Sequence, residues 1–322
     1  MLMDGQTKTT SVKSSDYNLD WWRHAVIYRL NVANFADGDD DNVGDLHGLI
    51  DHLDYLASLN IDAVQLIGVT NLPDSNALMA SRRGDAEVCS ERDYLCQLVL
   101  AAEQRKLWLL PDFAEQYLSD RLQPLAGLRR PAQLLQYLTG QLQMDDVTTI
   151  NPFIIEDISL PRLTAQFGST TYRTEIAKMF AAIQLTWTGT PCLYQGQELG
   201  LVNHTMISWG YDPDSDLYAV SVATQEDDAT SILNFYRQMI NLRKSSLILQ
   251  DGSVQLVQDN RAVLCYLRGY GDRGILVVAN LSHRPVEART PLVGRLLTST
   301  YAGRSDLSDR RLAPYEALVM MV

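Results

Sequence analysis

The sequence lacks several features that would place it in a particular class of protein. Its 322 residues contain no apolar run close to the ~20 residues that a membrane-spanning helix needs, which argues against a membrane protein. Positive charge is scarce, since 27 Lys and Arg residues face 39 Asp and Glu residues, for a formal charge of −12. Nucleic acids and anionic membranes attract clustered positive charge, so we expect neither as a partner.

Cysteine is also scarce, and the positions of the four cysteines do not indicate a metal site. The four cysteines, at positions 89, 96, 192 and 265, show no metal-ligand spacing, which predicts small core residues in a reducing compartment. Residues 1–20 are polar and lack the apolar stretch of a secretory signal, so we expect a flexible arm. An apolar content of 46% and a charged content of 20% are typical of a globular protein. Together these features predict a cytoplasmic location.

Apolar runs alternate with amphipathic segments over residues 21–246. The runs, each predicted to be a strand, are 25–32, 63–69, 107–113, 149–155 and 192–194. The amphipathic segments, each predicted to be a helix, are 46–59, 91–104, 131–142, 172–188 and 231–243. Strands that alternate with helices predict an α/β fold, in which a parallel sheet of about five βα units is covered by helices.

The pattern changes after residue 244. Short β-branched runs separated by Gly, Asp and Asn replace the helical period, at 254–256, 262–267, 274–280, 297–301 and 317–322. These runs predict a small antiparallel β-domain. The predicted organisation is therefore an arm over 1–20, an α/β domain over 21–246 and a β-domain over 247–322.

Several motifs resemble the α-amylase superfamily, in its α-glucosidase, oligo-1,6-glucosidase and trehalose-synthase branch. They are WWRHAVIY at 21–28, FAD at 35–37, GDLHGL at 44–49, IDAV at 61–64, PR at 161–162, QFG at 166–168 and GTPCLYQGQELG at 189–200. The resemblance covers nearly the whole chain. It implies a TIM-type barrel, which closes with eight βα units, and only five are present here. The fold class is thus an incomplete (β/α) barrel followed by the β-domain.

The missing part is the part that the family uses for catalysis. Strands four to six, with their nucleophilic Asp and acid/base Glu motifs, have no counterpart between the third strand and residue 149. Glu115 and Gln116 stand where the resemblance implies Asn and His, while Ile158 and Ser159 stand where it implies His and Asp. Retaining glycosidases need two carboxyl groups about 5–5.5 Å apart. The resemblance therefore implies a pseudoenzyme.

Four carboxylates could replace the lost pair, because they lie at or just after the ends of the third and fourth apolar runs. They are Asp112, Glu115, Glu156 and Asp157. If strands four to six are deleted, strand three could lie beside strand seven and bring these ends together. The alternative is that all four are solvated or capping carboxylates at strand ends. A hydrolase or transglycosylase with a reorganised site and a carbohydrate-binding protein without turnover therefore remain open beside a non-catalytic protein.

Residues 37–45 (DGDDDNVGD) form an acidic, glycine-containing loop. Alternating oxygen ligands suit Ca²⁺, a hard cation that takes 6–8 oxygens. The resemblance implies Ca²⁺ or Mg²⁺ bound through Asp37, Asp39, Asp41, the Val43 carbonyl and Asp45. The alternative is a solvated acidic turn.

An open five-stranded sheet leaves two unpaired edges and an apolar face, and both must be covered. We therefore expect a homo-oligomer or a complex with a full-length α-amylase-family relative, with an α-glucoside as a further candidate ligand. The alternative is a monomer in which residues 1–20 or 201–228 cover the gap.

Overall fold

The computed structural model describes residues 21–67, 94–110, 131–142, 152–167, 171–210, 220–257, 259–305 and 307–322. The predicted arm over residues 1–20 lies outside the described residues, and so do Asp112, Glu115 and Cys89. No helix in the described ranges has the length and apolar character needed to cross a membrane.

Five parallel strands form the first sheet, as the sequence predicts. They are β1 (Ile27–Asn31), β2 (Ala63–Ile67), β3 (Trp108–Leu110), β4 (Pro152–Ile154) and β5 (Thr190–Tyr194). Their order across the sheet is β3-β2-β1-β5-β4, and every pair is parallel. The strand that comes first in the sequence therefore lies at the centre.

Helices follow or precede these strands. They are α1 (Leu46–Asp51), α2 (Leu53–Ser58), α3 (Tyr94–Gln104), α4 (Pro131–Leu142), α5 (Leu163–Gln166), α6 (Arg173–Thr186), α7 (Val222–Glu226), α8 (Ile232–Lys244) and α9 (Leu247–Asp251). The helix predicted over 46–59 is divided at His52, whose ring packs at a tilt against Trp209 with centroids 3.8 Å apart. The expectation of no helix after residue 244 is wrong. Ser246 caps α9 by accepting a hydrogen bond from the backbone N–H of Leu249.

A second, antiparallel sheet forms the C-terminal part. Its strands, in spatial order, are β10 (Arg295–Ser299), β12 (Ala317–Met321), β8 (Arg273–Asn280), β7 (Val263–Tyr270) and β6 (Ser253–Leu256). Two short strands, β9 (Val286–Glu287) and β11 (Arg311–Leu312), pair separately. The predicted combination of an α/β sheet and a small β-domain is confirmed.

Two buried arginines join the sheets at the end of α6. Arg268, on β7, donates to the carbonyl of Thr186 at 2.6 Å and to that of Gly252 at 2.7 Å. Arg243, on α8, donates to the carbonyl of Trp187 at 2.9 Å and to that of Gly189 at 2.7 Å. These bonds satisfy carbonyls that the end of a helix leaves unpaired, and they fix the β-domain against the barrel helices.

The two edges of the parallel sheet are far apart in strand order. The third and fourth apolar runs form β3 and β4, which the resemblance equates with strands three and seven of a complete barrel. Since three strands separate β3 from β4, the expectation that these two strands lie side by side is wrong for this sheet. The expected exposed apolar face is also wrong for the described strands, because β2, β4 and β5 are buried along their whole length. At the β4 edge, the Tyr137 hydroxyl of α4 donates to the Ile154 carbonyl at 2.7 Å, and its ring stacks on Phe153.

The cysteines do not share one environment. Cys192 and Cys265 are buried and free, and burial raises the pKa of Cys192 to about 12 and that of Cys265 to about 11. Both thiols are therefore protonated and unreactive at neutral pH. Cys96 in α3 is half-buried and disulfide-bonded, so the prediction of a reduced core cysteine is wrong at this position.

Candidate functional site

The acidic loop connects the end of β1 to the start of α1. The Asp45 carboxylate caps α1 by accepting a hydrogen bond from the N–H of Gly48 at 2.7 Å. Gly38 approaches this cap so closely that a Cβ would lie 2.5 Å from the Gly48 nitrogen and 2.7 Å from an Asp45 oxygen. A side chain at position 38 would displace the loop from the helix.

Asp37 organises the loop through the backbone. Its two carboxylate oxygens accept hydrogen bonds from the N–H groups of Asp39 at 3.1 Å, Asp40 at 2.8 Å, Asp41 at 3.3 Å and Asn42 at 2.7 Å. Desolvation alone would raise the pKa of Asp37, but these four donors together lower it. The loop thus holds one carboxylate ionised before any ligand is considered.

Three of the predicted metal ligands lie together. Carboxylate oxygens of Asp37, Asp39 and Asp45 all lie within 4.8 Å of one another. Repulsion from Asp41, then desolvation, then repulsion from Asp45 and Asp37 raise the pKa of Asp39. A hydrogen bond from the backbone N–H of Asp41 to the Asp39 carboxylate opposes this rise in pKa without cancelling it. A donor set of clustered carboxylate oxygens fits a hard cation such as Ca²⁺.

Asp41, a fourth predicted ligand, is not in this cluster. An oxygen of Asp41 accepts a hydrogen bond from the N–H of Val43 at 2.7 Å, which turns that carboxylate to the loop's own backbone. The family resemblance implied Asp41 as a ligand, and the residues on either side of it, Asp40 and Asn42, have positive φ angles that interrupt a regular alternation. The structure therefore supports a three-carboxylate core of Asp37, Asp39 and Asp45.

Glu156 follows β4 and is held in a buried ion pair. Its Oε2 accepts from Arg162 at 2.9 Å, and its Oε1 accepts from the N–H of Leu163 at 2.9 Å. The Arg162 guanidinium also donates to the carbonyls of Gln195 at 2.7 Å and Asn203 at 3.0 Å. Glu156 is only 3% exposed. The pair ties the end of β4 to the segment that follows β5.

Asp157 is held in a second buried ion pair. It accepts hydrogen bonds from the guanidinium of Arg29 on β1, and from the N–H and hydroxyl of Ser159 at 3.2 Å. Arg29 also donates to Gln65 of β2 at 2.7 Å. Asp157 is 4% exposed, whereas the neighbouring Ile158 is 36% exposed. The sequence analysis missed Arg29, although a charged residue inside the apolar run 25–32 is a signal that it needs a buried partner.

A third buried carboxyl lies behind the sheet. Glu198 accepts hydrogen bonds from the hydroxyls of Tyr28 and Tyr55, each at 2.7 Å. Burial raises the pKa of Glu198, against the effect of these two donors. This geometry agrees with a structural role, because the carboxyl is enclosed between β1 and α2.

The chemistry of the strand ends follows from these pairs. Both described acids after β4, Glu156 and Asp157, have arginine partners and almost no exposed surface. Their predicted companions, Asp112 and Glu115, lie outside the described residues. Within the described ranges, Glu156 and Asp157 are therefore each held in a separate buried ion pair with an arginine.

Comparison with known proteins confirms the resemblance seen in the sequence. Residues 30–79 and 129–217 match the family model described as "Alpha amylase, catalytic domain". Residues 254–305 match the model described as "Maltogenic Amylase, C-terminal domain". The chain is a homologue of the α-amylase family.

Curated relatives include glycosidases of this family. The chain is 26% identical over 227 residues to "Probable oligo-1,6-glucosidase 2" of Bacillus subtilis, covering 50% of this chain and 40% of that protein. It is 33% identical over 102 residues to "Glucan 1,6-alpha-glucosidase" of Streptococcus pneumoniae, covering 31% of this chain and 19% of that protein. The chain thus spans between about a fifth and two fifths of the length of these relatives.

Solved structures show the same fold. Isomaltulose synthase from Erwinia rhapontici superposes with a TM-score of 0.76 at 15% identity, over 94% of this chain and 99% of that chain. Trehalose-6-phosphate hydrolase from Bacillus licheniformis superposes with a TM-score of 0.71 at 14% identity, over 94% and 99% of the two chains. These likenesses show a TIM-type barrel fold, of which five parallel strands lie in the described residues.

Proposed function

We propose that this α-amylase-family homologue is non-catalytic. The observation that carries the proposal is the engagement of Glu156 and Asp157 in buried ion pairs with Arg162 and Arg29. A glycosidase nucleophile must reach the sugar, and the acid/base group must exchange a proton with the leaving oxygen. Carboxylates enclosed by guanidinium and backbone donors can do neither without breaking those contacts.

The absence of the family's catalytic motifs supports the same conclusion. The sequence has no counterpart of the nucleophile and acid/base segments, and Ile158 and Ser159 occupy two further positions of the family's site. In the structure the Ser159 hydroxyl bonds to Asp157, so it serves the ion pair. A hydrolase or transglycosylase using Asp112, Glu115, Glu156 and Asp157 is the outcome that the activity test must exclude.

The test is turnover of 4-nitrophenyl α-glucoside, maltose, isomaltose and trehalose by the whole chain. We expect no product above the buffer rate. To test whether any product comes from the reorganised site, the same assay is run on the Asp157→Asn variant. Asp272→Asn is the control, because Asp272 is an exposed residue on the turn between β7 and β8. Turnover that Asp157→Asn abolishes and Asp272→Asn preserves would show that the reorganised site is active.

We also propose that the acidic loop binds Ca²⁺, with Mg²⁺ as the competing ion. Asp37, Asp39 and Asp45 would hold the cation, and the charge it supplies would offset the repulsion that raises the pKa of Asp39. The loop leads directly into the cap of α1, so the role that this geometry supports is structural.

We further propose that the chain self-associates or pairs with a full-length relative. The support is the sheet order, in which β3 and β4 are edge strands of an open sheet among the described residues. Closed two-fold dimers are the commonest assembly for such surfaces. Light scattering at micromolar protein tests this, and a monodisperse folded species of 36.1 kDa would contradict it.

A further inference from the structure

Four acidic side chains are buried among the residues that the structure describes, and one of them lacks a cation. They are Glu156, Asp157, Glu198 and Glu316. The two acids after β4 pair with arginines, and Glu316 lies 3.6 Å from a guanidinium nitrogen of Arg304. Glu198 is 0% exposed and forms no ion pair with a described residue. Its surroundings therefore differ from those of the other three carboxyl groups.

The two oxygens of the Glu198 carboxyl have unequal partners. Oε1 accepts hydrogen bonds from the hydroxyls of Tyr28 on β1 and Tyr55 on α2, each at 2.7 Å. Oε2 is equally buried, and no other described residue donates a hydrogen bond to it. Ionisation would place negative charge on this second oxygen with no neighbouring residue to compensate it, which is costly in a protein interior. Protonation removes the charge and keeps both tyrosine bonds.

The remaining ionisable groups that face Glu198 do not supply the missing charge. The Arg162 guanidinium attracts Glu198 from a distance, but it is already bonded to Glu156, and Tyr236 on α8 adds a neutral phenol. Burial is the largest influence on the pKa of Glu198 and raises it. Hydrogen bonds from the two tyrosines and from its own backbone N–H, with the attraction of Arg162, oppose this rise without cancelling it.

We propose that Glu198 is a pH-sensitive latch, which holds residues 195–201 against β1 and α2 while its carboxyl is protonated and loosens them when the proton is lost. This segment follows β5 and returns on itself, since the N–H of Leu201 donates to the Gly196 carbonyl at 3.0 Å. It also contacts the end of β1, where the Gln195 side chain accepts from the N–H of Asn31 at 2.7 Å. The latch does not depend on whether the chain is catalytic or binds Ca²⁺.

The direction of the pH effect follows from the preference of the folded state for the neutral acid. Such a group stabilises the fold below its ordinary pKa of about 4.3, and this stabilisation is lost as the pH rises toward the raised pKa of the folded state. Glutamine cannot ionise, so the Glu198→Gln variant lacks this loss. The unfolding equilibrium constant of the wild type, divided by that of Glu198→Gln, should therefore rise by up to about tenfold per pH unit.

Urea unfolding between about pH 5 and 8 measures this ratio. Glu316→Gln is the matched control, because Glu316 is 1% exposed and has a guanidinium nearby. The corresponding ratio for the control should not rise over the same range. A flat or falling ratio for Glu198→Gln would overturn the proposal, and so would an equal rise for the control.

Infrared spectroscopy detects the proton itself. At about pH 5.5, roughly one unit above the ordinary pKa of Glu, the carbonyl band of a protonated carboxyl should be present in the wild type and in Glu316→Gln and reduced in Glu198→Gln. Identical spectra of the wild type and Glu198→Gln would contradict the proposal. Tyr55→Phe serves if Glu198→Gln does not fold. It removes a donor that favours the ionised form, so its band should persist to higher pH than that of the wild type, and a band lost at the same pH would count against the latch.

Amide hydrogen exchange tests whether the segment itself loosens. The N–H of Leu201 should gain exchange rate with rising pH more steeply in the wild type than in Glu198→Gln, since only the wild type loses the latch. The general dependence of exchange on pH is common to both proteins and cancels in the comparison. An equal increase in the two proteins would show that the proton does not act on residues 195–201 and would overturn the latch.

Discussion

The ion pair between Glu156 and Arg162 makes a quantitative prediction. Glu156→Gln removes the charge that compensates a fully buried guanidinium, while the backbone donor from Leu163 keeps an acceptor. Breaking a buried pair by removing one partner costs about 3–5 kcal/mol. We expect the lower end, about 3 kcal/mol, because Arg162 keeps its two carbonyl acceptors and the new amide oxygen can still accept.

The expected change in melting temperature follows from chain length. An unfolding entropy of about 2.1 cal/mol/K per residue gives roughly 0.7 kcal/mol per degree for a chain of 322 residues. The loss of about 3 kcal/mol therefore corresponds to a fall of about 4 °C. Thermal and urea unfolding followed by circular dichroism measure the shift, and the urea midpoint should fall without a change in slope.

The matched control is the same substitution in an exposed pair. Glu287→Gln removes the carboxylate that lies 3.2 Å from Arg310 at the surface. Exposed pairs contribute about 0–1 kcal/mol, so the melting temperature should move by at most about 1.5 °C. Equal shifts in the two variants, or an unchanged Glu156→Gln protein, would refute a structural role for Glu156.

Three other outcomes follow from the structure. Ca²⁺ at a hundredfold excess over its Kd should stabilise the chain by about 2.7 kcal/mol, which raises the melting temperature by roughly 4 °C. Melting curves with Ca²⁺ and with EDTA measure this shift. Asp39→Asn should abolish the shift, and the control variant Asp40→Asn should keep it. Gly38→Ala should lower the melting temperature and weaken the Ca²⁺ response, since its Cβ would lie 2.5 Å from a backbone nitrogen; an unchanged response would contradict the close approach. Burial raises the pKa of the Tyr194 hydroxyl to about 12, so the folded state favours the neutral form. The stability that this preference adds to the fold is intact below pH 10 and is lost between about pH 10 and 12. Between pH 10 and 12, the urea midpoint of the Tyr194→Phe variant should therefore fall less with rising pH than that of the wild type.

The sequence by itself determined the element types and the family. Local patterns produced this information: the apolar period placed α4 at 131–142 and α8 near 231–243, and the motif at 189–200 marked β5 and the segment after it. The acidic loop was equally visible, because its proposed ligands lie within nine consecutive residues. Carboxylates of three of the five proposed ligands meet in the structure, whereas an Asp41 oxygen accepts from the N–H of Val43.

Only the tertiary structure showed which side chains the carboxylates at the strand ends contact. The spacing of Glu156 and Asp157 is the same for a catalytic pair and for structural ion pairs, and the difference lies in Arg162 and in Arg29, which is 128 residues away from Asp157. The order of the strands, the covered apolar faces and the break at His52 depend on similar long-range contacts. A sequence pattern records the local preference of a residue, whereas pairing and burial depend on which distant residue the folded chain brings beside it.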